Sequence, residues 1–506
     1  PTPIPKQPDP FWFFVRGLFR YRALTGATMV FVVLSGISLS AGLLGAGPVL
    51  KAILGEKQHL QTLVIGHNEW IAKEAPQWSY LMAPDWIIPY LPNDPFKSLA
   101  WIMGGLAILT IIGSICNYMH AYLSLTVVNR HVTAIRRQAF HTVLRAPLWT
   151  IMQQGPSDPI SRIVNDTSQL SNGLTVLLSK AVIQVVKGIA ALAVALVVEW
   201  RVTAAALLVT PALYFIIRTL GKRIKRAANA ALQSQSGLYA AASESLQGLR
   251  VVKVHTTERL EAGRFHRMNK QMLREMNRVR TARALASPLT ETLSIFLLCG
   301  LVLVAARVVL STNMESNKIL LALGMLAVAG ASLKPLTGII NDVQATHPAA
   351  ARVKQLLDTP GEPGRGHKLP KLPRHARTIT FEDVTLTYPN ASRDALKGIS
   401  LEIAAGQRVA FVGANGCGKT SLLGLVPRLY DPREGRVLVD GQDIAEVSVR
   451  SLREQIGVVT QETVLFAGSI LHNIAYGTGA GLEAVIAAAK KARAHEFIMQ
   501  LPRGYD

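Results

Sequence analysis

A bundle of six membrane-spanning helices followed by an α/β domain is the fold class this sequence predicts, and three observations carry it. Six apolar segments approach or exceed the roughly 20 residues that a helix needs to cross a bilayer core. The loops between them carry their basic excess on one side only. Past residue 377 the texture changes to short β-branched runs around a glycine-rich loop.

Composition agrees with that division. The chain has 506 residues, more than one ordinary domain holds, and 54 Lys and Arg against 32 Asp and Glu. Its mean hydropathy is nevertheless +0.27. Positive hydropathy together with a net charge of +22 fits an integral membrane protein whose charges are concentrated in particular loops. The three cysteines, Cys116, Cys299 and Cys417, show no disulfide or metal-knuckle spacing.

The apolar segments fall at about 25–50, 98–128, 180–199, 201–218, 284–308 and 319–345. The first two are free of charge, and the second is longer than a bilayer needs, so its helix is expected to continue into water. Only Glu199, Trp200 and Arg201 separate the third from the fourth, which predicts a tight antiparallel hairpin. The fourth is the weakest segment, being short and holding Pro211. Between Arg218 and Arg283 there are fifteen basic and four acidic residues, whereas 51–97 has four basic and five acidic. Basic loops stay in the cytoplasm, so the N-terminus, 129–179, 218–283 and everything after the sixth segment are expected there. That placement sets the basic residues beside anionic headgroups, and nucleic acid is not expected as a partner.

Ahead of the first segment, residues 11–22 (FWFFVRGLFRYR) interleave aromatic and basic side chains, the pattern of a short helix lying in the membrane interface. Residues 358–377, rich in Pro, Gly and basic residues, read as a linker. The domain boundaries expected are therefore an interfacial helix at 1–24, a transmembrane domain at 25–357, the linker at 358–377, and an α/β domain at 378–506.

Within the last domain, Gly413, Gly418, Lys419 and Thr420 satisfy the pattern G-x-x-x-x-G-K-[ST]. Glycines let successive backbone N–H groups turn toward phosphate oxygens. Lys419 can neutralise the outer phosphates, and the Thr420 hydroxyl can ligate Mg²⁺. Residues 408–412 (RVAFV) read as a buried strand entering this loop, and 419–430 as a helix leaving it. Downstream, 456–460 read as a strand ending on Gln461, a neutral amide able to ligate Mg²⁺ or orient water. Tyr388, in a turn before the loop, can stack on a base or simply pack.

The stretches 413–444 (GANGCGKTSLLGLVPRLYDPREGRVLVDGQDI) and 451–477 (SLREQIGVVTQETVLFAGSILHNIAYG) resemble the nucleotide-binding domain of ATP-binding cassette exporters. Residues 162–170 and 244–265 resemble that family's two intracellular loops, so the likeness covers nearly the whole chain. Among subfamilies it is similar to half-size bacterial exporters of the lipid A and multidrug type. The resemblance implies ATP and Mg²⁺ as cofactors, with Tyr388 as the adenine-stacking aromatic. It makes Gly413, Ala414, Asn415, Gly416, Cys417, Gly418, Lys419, Thr420 and Ser421 the nucleotide cradle, and Thr420 with Gln461 the metal ligands. It also implies coupling helices near 164–170 and 255–265, a second half-transporter as partner, and an inner-membrane location. Cys417 stands where the family more often has Ser, and beside Lys419 its thiol is expected to react readily.

The family's signature loop, its Mg²⁺-binding Asp, its general-base Glu and its switch His are not found in 378–506. No catalytic residue is assigned, and the cassette is expected to be C-terminally incomplete. Ionisable residues inside apolar segments, Lys187, Glu291 and Lys334, allow either internal pairing or a cationic cavity for an anionic amphiphile. Three functions follow: lipid export or flipping, drug or peptide export, and an ATP-binding regulatory partner that does not hydrolyse.

Overall fold

The computed structural model describes residues 9–53, 59–74, 82–155, 157–312, 316–364, 369–388, 391, 393–460 and 464–506. It forms two compact units, one of residues 1–146 and 151–360, the other of 147–150 and 361–506.

The first unit is helical. Helix α1 (Pro10–Leu18) starts where the Asp9 carboxylate accepts the Phe11 N–H at 3.1 Å, with Pro10 at the first turn, where its missing N–H costs nothing. Phe11, Phe14 and Leu18 are buried, while Trp12, Phe13 and Phe19 face outward. Helix α2 (Arg22–Ile53) follows after a short turn. Helix α3 (Leu60–Glu74) forms inside the 51–97 stretch, whose composition did not announce it. Its Asn68 side chain is buried and exchanges two hydrogen bonds with the backbone of Ala83, at 2.8 and 2.9 Å.

Helix α4 (Pro95–Arg145) has 51 residues, hence a length of about 76 Å. It runs well past any bilayer, as the charge-free 98–128 segment with its polar extension predicts. Helix α5 (Leu148–Gln154) is short, and α6 (Ser157–Val198) is continuous apart from two π-helical turns at Arg162–Asp166 and Val176–Ala181. Only Glu199 separates α6 from α7 (Trp200–Gln247), and its carboxylate caps α7 by accepting the Arg201 N–H at 3.2 Å. The expected tight hairpin is present. Helix α8 (Leu249–Val254) leads to α9 (Glu258–Thr312) and α10 (Ser316–Leu357).

Each of the six apolar segments lies in one of the long helices α2, α4, α6, α7, α9 and α10. Among the described residues, three of these are both long and apolar enough to cross a membrane: Arg22–Val49, Pro95–Arg145 and Ser157–Val198. The apolar stretch Ile319–Ser332 in α10 is shorter. Much of α4 presents apolar side chains outward, Trp101, Ile108, Ile111 and Ile115 among them, as lipid contact requires. Where α2 meets α4 the helices approach closely. Ser38 Oγ donates to the Leu109 carbonyl at 2.7 Å, and a Cβ on Gly113 would fall 2.5 Å from the Ser38 Oγ.

The second unit holds a four-stranded antiparallel sheet in the order β2-β1-β3-β4, from β1 (Thr378–Leu386), β2 (Leu396–Ala404), β3 (Glu434–Val439) and β4 (Gln442–Asp443). Phe381 lies opposite Leu401 on one side and Val437 on the other. The two-residue turn from β3 to β4 uses Asp440 and Gly441, both at positive φ (53° and 82°), the pairing that follows strand twist. Helices α11 (Lys419–Leu425) and α12 (Val449–Arg453) contribute Leu425 and Leu452 to the core around Phe381, Val384 and Val437. Helices α13 (Ile470–Ile474), α14 (Leu482–Lys491) and α15 (His495–Met499) build a smaller core of Val485, Ala489, Ile498 and Tyr505.

Two strand expectations are corrected. Residues 408–412 and 456–460 adopt no strand, and Val412 and Val459 are 93% and 97% exposed. Their composition suits a parallel strand buried on both faces, but such a strand needs neighbours to complete its ladder. Among the described residues the sheet ends at β2 and β4, and neither segment pairs with it.

Candidate functional site

The glycine-rich loop wraps around a lysine. Lys419 Nζ donates to the Gly413 and Ala414 carbonyls, each at 2.8 Å, and lies 3.7 Å from Cys417 Sγ. The chain reaches α11 through Gly418 at φ 96°, where a Cβ would meet the Ala395 carbonyl oxygen at 2.6 Å. Only glycine meets both demands, so Gly418 aims the first turn of α11 back at the loop.

Helix α11 is shorter than the expected 419–430. Pro427 has no N–H to donate and disfavours helical backbone at the residue before it. The chain then turns at Arg428, φ 51°. The Arg428 guanidinium, nearly buried, fastens this turn by donating to Asp431 at 2.7 Å and to the Ile444 and Ala445 carbonyls at 3.1 Å.

Tyr388 stands beside the helix start. Its hydroxyl shares a 2.8 Å hydrogen bond with Ser421, and its ring meets Tyr430 edge-on at 5.2 Å between centroids. Burial, with Tyr388 beside it, pushes the Tyr430 phenol above its usual range. Sequence reasoning found Tyr388 and Ser421 but not the Tyr430 contact that supports them; the only signal was an aromatic residue next to the Asp431–Pro432 turn. Asn415, Gly416, Cys417 and Thr420 are exposed on the loop and helix start, where a phosphate chain can reach them. Thr420 lies exposed in the first turn of α11, and a hydroxyl suits the chemistry of a hard-cation ligand. Gln461 lies outside the described residues. Among the described residues no three His, Cys, Asp or Glu side chains cluster as metal ligands.

The supposed linker does more than tether. Glu362 and Arg453 form a two-pronged ion pair at 2.5 and 3.0 Å, and Arg453 also donates to the Pro427 and Arg428 carbonyls. Leu372 is buried in the sheet core, and its N–H donates to Ser451 at 2.9 Å. Through Arg453, Glu362 therefore helps hold the helix-end turn after α11, while Leu372 fastens to α12. Of the ionisable residues expected within apolar segments, Lys187 is half-buried on α6, and the side chains of Glu291 and Lys334 lie outside the described set.

Long lipid-facing helices in one unit and a lysine-centred phosphate loop in the other define a nucleotide-binding membrane protein. Residues 18–332 match the family described as ABC transporter transmembrane region, and residues 396–505 the family described as ABC transporter. The chain belongs to the ABC transporter family, with membrane domain and cassette in one polypeptide as in half-size exporters, and so is a transporter powered by ATP. An ATP-dependent lipid A-core flippase of Syntrophus aciditrophicus (strain SB) is 30% identical over 81% of this chain and 68% of its own length. One of Thiobacillus denitrificans (strain ATCC 25259 / T1) is 32% identical over 81% and 70%. In fold, the chain is similar to a bacterial Atm1-family ABC exporter solved with ATP bound. The TM-score is 0.72 over 96% of this chain and 80% of that one, at 23% identity.

Proposed function

We propose that the chain is one half of a two-subunit exporter that uses ATP to flip or export a lipid with a phosphorylated polar end across the bacterial inner membrane. The observation that carries this reading is the cradle at Lys419, Gly418 and Ser421, in a chain whose long helices expose apolar faces. The names of the related flippases favour lipid as cargo.

In this reading the backbone N–H groups of 413–418 and the Lys419 ammonium bind the ATP phosphates, and the Tyr388 ring stacks on adenine. Mg²⁺, held by Thr420 and Gln461, would offset phosphate charge. The basic residues of 129–179 and 218–283 favour a cytoplasmic side for the phosphate loop and the N-terminus. Helix α1 rests in the interface with Trp12 and Phe13 toward lipid. The membrane is crossed six times, by parts of α2, α4, α6, α7, α9 and α10. The turn region between α7 and α9 exposes Leu246, Val251, Val254 and Leu260, apolar surface that a second copy would cover. Pairing of two cassettes around ATP draws the segments near 164–170 and 255–265 together and reorients the cavity between the spans.

The test is ATP-dependent movement of a fluorescent phosphorylated lipid between leaflets of vesicles holding the protein, compared with drug and peptide cargoes. Lipid movement that Lys419→Ala abolishes is expected. Drug or peptide transport instead would reassign the cargo. ATP binding without any transport or hydrolysis would identify a regulatory partner.

A further inference from the structure

Where α4, α6 and α10 meet, the helical unit forms an open cavity of about 310 Å³ lined by both polar and apolar side chains. Its walls carry Asn117 and His120 from α4, Lys180 and Gln184 from α6, and Pro335 and Asp342 from α10. Two of these helices are irregular here. Lys180 belongs to the π-helical turn Val176–Ala181, and Pro335 removes a backbone donor from α10.

His120 is the fixed part of the wall. It is 1% exposed, and its two ring nitrogens face the Thr28 carbonyl at 3.1 Å and the Ser179 carbonyl at 3.2 Å. The ring of α4 thus sits between α2 and α6, and a neutral imidazole donates to one of the two carbonyls. Lys180 and Asp342, opposite in charge, also line it, and among the described residues neither forms an ion pair.

Depth narrows what such a cavity can hold. Thr28 and Lys180 stand at the starts of the first and third apolar segments, and Asp342 at the end of the sixth. Successive spans alternate in direction, so these three ends lie at one face of the membrane, where acyl chains give way to headgroups. This step rests on the membrane placement proposed above. Both side chains are exposed there, each an uncompensated charge that a ligand of opposite sign can reach. A ligand carrying both charges relieves both, whereas a simple anion would satisfy Lys180 and repel Asp342. The bilayer itself supplies such a ligand at high local concentration.

We propose that this cavity binds the headgroup of a zwitterionic phospholipid, its phosphate on Lys180 and its ammonium on Asp342. Asn117 and Gln184 offer amides to the remaining phosphate and glycerol oxygens.

Native mass spectrometry of the purified chain, without nucleotide, tests this with two lipids of identical acyl chains, phosphatidylethanolamine and phosphatidylglycerol. The expected result is a preference for phosphatidylethanolamine of about tenfold, lost in Lys180→Gln and in Asp342→Asn. Equal binding of the two lipids by the unaltered chain would overturn the proposal, as would unchanged selectivity in both variants. Tight binding of water-soluble glycerophosphoethanolamine would also overturn it, by assigning the cavity to a soluble zwitterion. The charge-exchanged pair Lys180→Asp with Asp342→Lys should regain part of the preference, and a variant that does not fold leaves the two-lipid comparison on the unaltered chain decisive. Nucleotide binding on the same samples separates failure of this site from failure of the transporter reading.

Discussion

The Tyr388 hydroxyl and the Ser421 hydroxyl lie 2.8 Å apart, joining the ring proposed to stack on adenine to the first turn of the phosphate-loop helix. Tyr430, edge-on to the same ring, holds it from the far side. Ring and hydroxyl therefore do separable jobs. Tyr388→Ala should weaken ATP binding by about tenfold, since stacking of a base on an aromatic contributes on the order of 1–3 kcal/mol. Tyr388→Phe should keep nearly all of that affinity and lose only about 0.5–1.5 kcal/mol of local stability with the hydrogen bond. Titration with a fluorescent ATP analogue, beside thermal unfolding, distinguishes the two, and equal affinity loss in both variants would contradict the stacking role.

Cys417 is exposed on the loop, with its sulfur 3.7 Å from the Lys419 ammonium. Exposure lets a reagent reach the sulfur from solvent. A thiol alkylator should modify Cys417 ahead of the buried Cys116, block nucleotide binding, and be slowed by ATP. Peptide mapping with and without ATP measures this. Modification that leaves ATP binding intact would show that the loop admits nucleotide without the space around this sulfur.

Much of this was legible in the sequence because its signals are local. Helix α1 follows from its aromatic and basic spacing, the α6–α7 hairpin from a three-residue gap, and the β3–β4 turn from Asp440–Gly441. The phosphate loop follows from one contiguous motif, although the close approach that requires glycine at 418 comes from Ala395, earlier in the chain. What was not legible depends on contacts distant in sequence. Residues 408–412 and 456–460 have strand composition, but a strand exists only where another offers its backbone, and no pattern in either segment reports that. Leu372 and Glu362 looked like linker because Pro and Gly surround them, although their partners Ser451 and Arg453 are about eighty to ninety residues away. His120 gave no warning at all, since a lone histidine in an apolar run is equally compatible with packing.

Asp440 provides a pH test. Burial alone would raise its carboxyl, but the backbone N–H groups of Ala376, Arg377 and Thr378, with His375 beside them, outweigh it and hold the group at about 2. The unfolded value is near 3.9. A depressed carboxylate contributes stability that is fully present above the unfolded value and disappears as pH falls through the folded one. Protection of the amides at 376–378 from hydrogen exchange, corrected for intrinsic rate, should therefore decline between about pH 4 and pH 2. In Asp440→Asn the decline should be absent and protection lower throughout, by about 1 kcal/mol for one lost acceptor. An acid limb unchanged by the substitution would place its origin elsewhere.

The Arg352 guanidinium reaches from α10 to Asp166 in the first π-helical turn of α6, at 3.1 Å, and to Asp158 at 3.3 Å. Arg162 meets Asp158 at 2.6 Å and donates to Gln355 at 3.1 Å. Asp166 is 5% exposed, so it depends on this contact, yet Arg352 meets its Oδ2 as an ionic contact off the hydrogen-bond axis. The Arg352 side chain is 45% exposed and stays partly hydrated, so the pair itself adds little net stability. Removing one partner is different, because it leaves a buried charge uncompensated. Arg352→Ala should cost about 2–3 kcal/mol, below the full penalty for a wholly buried pair. Asp166→Asn should cost less, and the double variant should recover part of the Arg352→Ala loss. Thermal unfolding of the four proteins gives the coupling directly. If the double variant loses the sum of the two single losses, the α6–α10 clasp rests on the Arg162 contacts and not on this pair.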